Sequence, residues 1–132
     1  MNTKKTNSCN LGGNDASLWV EPVGNIIIAR VRGTATVELI QECQTRVTTL
    51  QRDTKFGRIL YDALELNRPA IEIVLTQQTL SNQAKFDSVK IAIVVPNTGI
   101  AYLSRIAFGD VNHRVFYNDI TAAVLWLKDE DV

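Results

Sequence analysis

The 132-residue sequence has few of the residues on which several classes of protein depend. Its two cysteines are too few for a disulfide framework, and they lack the spacing of a zinc site. The single histidine, His113, has no nucleophile motif near it, and no cluster of acids has calcium-loop spacing. We therefore predict no catalytic residue, no metal site and no cofactor.

Neither sign of charge is in excess, because 14 lysines and arginines balance 14 aspartates and glutamates. That balance provides no overall field to attract nucleic acid or an anionic membrane. The longest apolar runs, such as residues 91–95, are only as long as a strand, which predicts no membrane span. The first 15 residues have no apolar core of the kind found in secretory signals. With so few cysteines, these features predict a cytoplasmic protein with no nucleic-acid partner and no membrane span.

The apolar pattern divides the chain at about residue 15. Residues 1–15 are rich in Asn, Thr and Gly without apolar periodicity, which predicts a disordered tail. Residues 16–132 contain no linker or internal repeat, and their length is typical of one domain.

Within this domain the pattern predicts five strands and four helices in the order β-β-α-β-α-β-α-β-α. The strands are predicted at residues 18–21, 25–32, 58–63, 89–95 and 113–117. The helices are predicted at residues 36–52, after Pro69, from Asn97 or Thr98 to Ala107, and from Asn118 or Asp119 through Leu127. Strands alternating with helices indicate an α/β fold, and the opening hairpin makes the mostly parallel sheet a mixed one.

Polar residues follow two of the predicted parallel strands. Asp62 lies at the end of the third strand, and Asn97, Thr98 and Gly99 follow the fourth. The carboxyl ends of parallel strands line the ligand crevice of open α/β sheets, and a helix N-terminus favours an anion. These four residues are therefore candidates for binding a small apolar or anionic ligand. The alternative is that they cap helices and hydrogen-bond the loop backbone.

Two predicted helices carry more large apolar residues than one core can cover. In the last helix, Leu125, Trp126 and Leu127 are consecutive, so Trp126 or Leu125 is expected to lie outside the core and to be buried by another surface. The preceding helix has Tyr102, Ile106 and Phe108 outside its predicted inner face. We predict that a homodimer covers these residues, with Tyr102 and Ile106 at its centre and Trp126 beside them. The alternative is that a groove between helices, or the tail, buries them within one chain.

Three stretches, RILYDAL, KIAIVVPNTG and HRVFYNDITAAVLWL, together with the order of elements, resemble the STAS/SpoIIAA-like domains over residues 17–128. These bacterial proteins include anti-sigma-factor antagonists and are related to the cytoplasmic domains of sulphate transporters. The resemblance implies a non-catalytic regulatory or protein-interaction module. The SpoIIAA-like group is also placed with lipid carriers, which implies small-molecule or lipid binding as the alternative.

The chain departs from the antagonists at their phosphorylated segment. They carry an Asp-Ser-Ser-Gly-like sequence after the third strand, whereas residues 64–69 read LELNRP. This segment has no serine, threonine or glycine, so the phosphorylation switch is not expected here.

Overall fold

The structure, a computed structural model, describes residues 8–9, 15–84, 86 and 88–129. Its strands are β1 (Ser8–Cys9), β2 (Ser17–Val23), β3 (Ile26–Arg32), β4 (Arg58–Asp62), β5 (Lys90–Val95) and β6 (His113–Tyr117). Its helices are α1 (Val37–Thr54), α2 (Ile71–Ala84), α3 (Thr98–Phe108) and α4 (Ile120–Lys128). The predicted α/β fold, with its five main strands and four helices in order, is confirmed.

The sheet also contains one short strand that the sequence pattern did not predict. β1 pairs antiparallel with β2, with Ser8 opposite Trp19, so the sheet has six strands in the order β1-β2-β3-β4-β5-β6. Two residues are too few to show the alternation by which strands are recognised. β1 lies within residues 1–15, and apart from β1 and Asp15 that predicted tail lies outside the described residues.

The order of the strands determines where the helices lie. Strands β3 to β6 are parallel and follow one another in sequence order. Successive right-handed crossovers that step in one direction place α1, α2 and α3 on the same face of the sheet. α4 follows the last strand and is not a crossover, and it packs on the opposite face, where Ala123 and Leu127 contact a cluster containing Leu60, Ala92 and Val94.

Side-chain and backbone hydrogen bonds fix the ends of the helices. Of the predicted alternatives, Asn97 rather than Thr98 caps α3, because its Oδ1 accepts from the Ile100 N–H at 2.9 Å. Asp119 rather than Asn118 caps α4 through the Ala122 N–H, also at 2.9 Å. In the described part of the chain, no helix combines the length and the apolar character needed to cross a membrane.

Candidate functional site

Asp62, the first predicted ligand residue, is engaged in a structural ion pair. Side chains alternate along a strand, so Asp62 projects toward the α4 face while its neighbour Tyr61 projects toward α1–α3. The Asp62 carboxylate accepts from Arg30 Nε at 3.0 Å and from the Leu64 N–H at 3.1 Å. Both of its oxygens are therefore used to join β3 to β4 and to hold the turn that follows β4.

The other predicted ligand residues lie at the N-terminus of α3. Asn97 uses its side-chain oxygen as the helix cap, and Thr98 is exposed. Gly99 lies beside Arg68, since a Cβ at this position would be 3.3 Å from Arg68 Nη1. Because β3 to β6 run in sequence order without reversal, the parallel part of the sheet has no topological switch point at which a crevice opens. The structure therefore does not bring Asp62 and these residues together around one crevice.

An apolar cavity of about 80 Å³ lies instead inside the layer between the sheet and helices α1–α3. Each helix contributes apolar side chains to its wall, and β4 contributes Tyr61. The wall includes Ile40, Cys43, Tyr61, Val74, Leu103 and Phe108. Ile40 and Cys43 recur at helical spacing in the sequence, as core residues do, but such spacing does not indicate that a cavity lies between the elements.

Two polar groups at the cavity wall are strongly affected by burial. Burial raises the pKa of the Cys43 thiol to about 12, with a smaller opposing effect from Arg46 and a further small rise caused by Glu42. Burial also raises the pKa of the Tyr61 phenol well above its ordinary value, and the nearby Cys43 adds to the rise. Both groups are therefore protonated and uncharged throughout the neutral pH range.

The Tyr61 hydroxyl is a buried polar group without a hydrogen-bond partner among the described residues. Tyr61 is only 7% exposed, and its ring lies 5.0 Å, centroid to centroid, from that of Phe108. Leaving a buried donor unsatisfied costs about 1–3 kcal/mol. An arrangement with this cost is rare in native proteins unless a water, ion or ligand completes it.

The neighbouring buried amides, by contrast, hydrogen-bond to one another. Gln77 Nε2 donates to Gln44 Oε1 at 3.2 Å and to Ser81 Oγ at 2.9 Å, between α1 and α2. Gln44 in turn donates to Thr48 Oγ1 at 3.2 Å. These buried polar residues also explain why the apolar stripe of α2 weakens along its second half in the sequence.

The segment of residues 63–70, here called the strap, passes over the end of the cavity next to the carboxyl ends of the strands. Leu66 and Pro69 from the strap line the cavity. Gly33 holds the strap in place through two backbone hydrogen bonds. Its N–H donates to the Glu65 carbonyl at 2.9 Å, and its own carbonyl accepts from the Asn67 N–H at 3.0 Å. Backbone hydrogen bonds to Gly33 therefore hold the strap beside the cavity.

Part of the predicted interface is exposed, on the face formed by α2 and α3. Tyr102 on α3 is 64% exposed, and Ile71 and Leu75 on α2 are 59% and 49% exposed. Gln78 Nε2 donates to the Ile106 carbonyl at 3.2 Å, and Ile71, Leu75 and Gln78 share one stripe of α2. That stripe therefore borders α3, and Ile71, Leu75 and Tyr102 together are called the α2–α3 face.

The remaining residues of the predicted interface lie elsewhere. Phe108 is buried in the core rather than exposed, and Ile106 is partly buried against the same core. Trp126 is half-buried on the opposite side of the sheet, 5.9 Å from the Phe116 ring centroid and with Lys90 Nζ 4.5 Å from its own ring centroid. The expectation that the last two helices present one adjacent patch is therefore wrong, because the sheet separates α3 from α4.

Comparison with known proteins identifies a similar fold. No family model and no curated protein matches the chain. One similar solved structure is an uncharacterized protein of the DUF3478 family from Shewanella loihica PV-4, described as having a SpoIIAA-like fold. The two chains are 16% identical with a TM-score of 0.59, and the match covers 89% of this chain and 99% of the other. At this identity the likeness shows the fold alone, and it confirms the SpoIIAA-like architecture.

Proposed function

We propose that the protein is a non-catalytic, cytoplasmic regulatory module that acts through protein interaction, and that a second copy of the chain binds its α2–α3 face. The observation that carries this proposal is the set of three large apolar side chains, each about half exposed or more, on two adjoining helices. Exposed apolar side chains grouped on one face are typical of an interaction site.

Several properties favour a second copy as the partner. The chain has no formal net charge, so electrostatic repulsion between copies does not oppose association. Two-fold dimers are the commonest oligomers, and a two-fold dimer formed through this face would bury the same stripe on both chains. Tyr102, the most exposed of the three residues, would lie near the two-fold axis.

Sedimentation velocity on three proteins tests the proposal. The wild type is expected to sediment as a dimer of the 14.7 kDa chain. Tyr102→Asp should convert it to a monomer, because it places a charge in the centre of an apolar interface. Leu125→Asp is the matched control, since Leu125 is 65% exposed but lies on α4, across the sheet.

The possible results separate clearly. A wild type that is monomeric at all concentrations up to about 100 µM, where even a weak complex is populated, overturns the proposal. So does a Tyr102→Asp variant that remains dimeric. Dissociation by Leu125→Asp alone would assign the interface to α4.

A second candidate function is the binding of a small molecule. It is favoured by the cavity and its unpartnered Tyr61 hydroxyl, not by the predicted crevice at Asp62, Asn97, Thr98 and Gly99. It is independent of the α2–α3 face.

A further inference from the structure

We infer that the cavity binds a small neutral molecule with an apolar body and one oxygen atom that accepts a hydrogen bond from the Tyr61 hydroxyl. This inference rests on the second candidate function and gives it a site and a ligand class. The class includes short ketones, aldehydes and ethers of roughly three to five non-hydrogen atoms.

The position of the Tyr61 hydroxyl indicates that a partner is missing. Tyr61 is more than nine-tenths buried and lines the cavity, and its ring packs against that of Phe108, which restricts the side chain. In the described residues no group accepts a hydrogen bond from this hydroxyl. Buried polar groups are almost always paired, so this donor indicates a partner that the chain does not itself supply.

Water is the alternative partner, and few groups at the cavity wall could hold it. A buried water molecule is held by two to four polar groups. Of the other polar residues at the wall, Cys43 offers only a weakly bonding thiol, and Asp62 uses both carboxylate oxygens on Arg30 and the Leu64 N–H. The Gln77 amide nitrogen donates to Gln44 and Ser81, which leaves the Gln77 amide oxygen and the Ser104 hydroxyl as the groups that could hold a water beside Tyr61. The rest of the wall is almost wholly apolar, which favours a molecule that makes one hydrogen bond and is otherwise hydrocarbon.

The charge and volume of the cavity limit the ligand further. Tyr61 and Cys43 are both uncharged at neutral pH, and the Asp62 carboxylate is paired with Arg30 on the α4 face. A charged ligand would lose its hydration without gaining a counter-ion. The volume of about 80 Å³ is about half that of the roughly 150 Å³ cavity known to accept benzene, whose ring has six carbon atoms, so the ligand is limited to about three to five non-hydrogen atoms.

Two five-membered ring compounds that differ in one ring atom test the inference. Tetrahydrofuran and cyclopentane are titrated into isotope-labelled wild type and Tyr61→Phe, and the amide signals of the residues that line the cavity are followed by NMR. Tyr61→Phe removes only the hydroxyl, so tetrahydrofuran should bind about fivefold more weakly to the variant, as expected for one hydrogen bond. Cyclopentane should bind the variant at least as tightly as the wild type. The spectra themselves show whether the variant is folded.

Each other outcome overturns a defined part of the inference. If Tyr61→Phe binds tetrahydrofuran as well as the wild type does, the proposed ligand class is wrong, but the proposal of small-molecule binding is not contradicted. If neither compound shifts the signals of the cavity residues in the wild type, both the inference and the second candidate function fail. Neither result bears on the α2–α3 face, which sedimentation tests separately.

Discussion

Two ion pairs join β3 to the chain at and beyond the end of β4, and they differ mainly in burial. Arg30 pairs with Asp62 at 3.0 Å, and the Asp62 side chain is only 9% exposed. Arg32 pairs with Glu65 of the strap at 3.3 Å, and the Glu65 side chain is 66% exposed. The same chemistry therefore occurs once in a buried setting and once at the surface, which makes Glu65 a control for Asp62.

Asp62→Ala is expected to lower the free energy of unfolding by about 2 kcal/mol, because it leaves the Arg30 guanidinium and the half-buried Leu64 N–H without their acceptor. Glu65→Ala should cost less than about 0.5 kcal/mol, as is usual for exposed pairs. Urea unfolding of the two variants measures both values. If both variants lose little free energy of unfolding, and lose it equally, Asp62 is not needed for the fold. It would then again be a candidate for ligand binding.

The raised pKa of Cys43 predicts how stability depends on pH. The native thiol keeps its proton up to about pH 12, whereas the unfolded thiol releases it near the ordinary pKa of 9.0. Between these values the native state binds more protons, so the free energy of unfolding falls as pH rises. From pH 8 to pH 10.5 the Cys43 contribution should fall by about 2 kcal/mol.

Urea unfolding of wild type and Cys43→Ala at these two pH values isolates that contribution. Other titrating groups are common to both proteins, so the difference between their free energies of unfolding is the quantity to follow. It should shrink by about 2 kcal/mol on going to pH 10.5. If the two proteins lose stability in parallel, the thiol is not buried as the structure shows.

At the scale of elements, the sequence predicted the helices and strands that are determined by residues close together in the chain. Caps such as Asn97 and Asp119 lie within three residues of the N–H groups they bind, so the beginnings of α3 and α4 could be predicted closely. The second half of α2 was harder, because Gln77 and Ser81 are polar but buried. Their burial is favourable only because Gln44 on α1 completes the hydrogen bonds, and that partner is 33 residues from Gln77 in sequence.

At the scale of the molecule, the predictions failed where they depended on the order of the strands. Alternating elements imply a parallel sheet, but they do not say whether the strand order reverses. A reversal would have created a switch point near Asp62 and Asn97, whereas the observed order places three helices on one face and α4 on the other. The cavity could not be predicted either, because it depends on how side chains from several elements fit together.

If a second copy binds the α2–α3 face, the stability of the folded chain should depend on protein concentration. The α2–α3 face lies over the main core, so a partner bound there stabilises the folded chain by mass action. Raising the concentration from about 1 to about 100 µM should stabilise a tight dimer by about 2.7 kcal/mol, which corresponds to a rise in Tm of several degrees. Tyr102→Asp should show no such rise, whereas Leu125→Asp should behave as the wild type. A wild-type Tm that is independent of concentration would mean that the face does not bind a second copy.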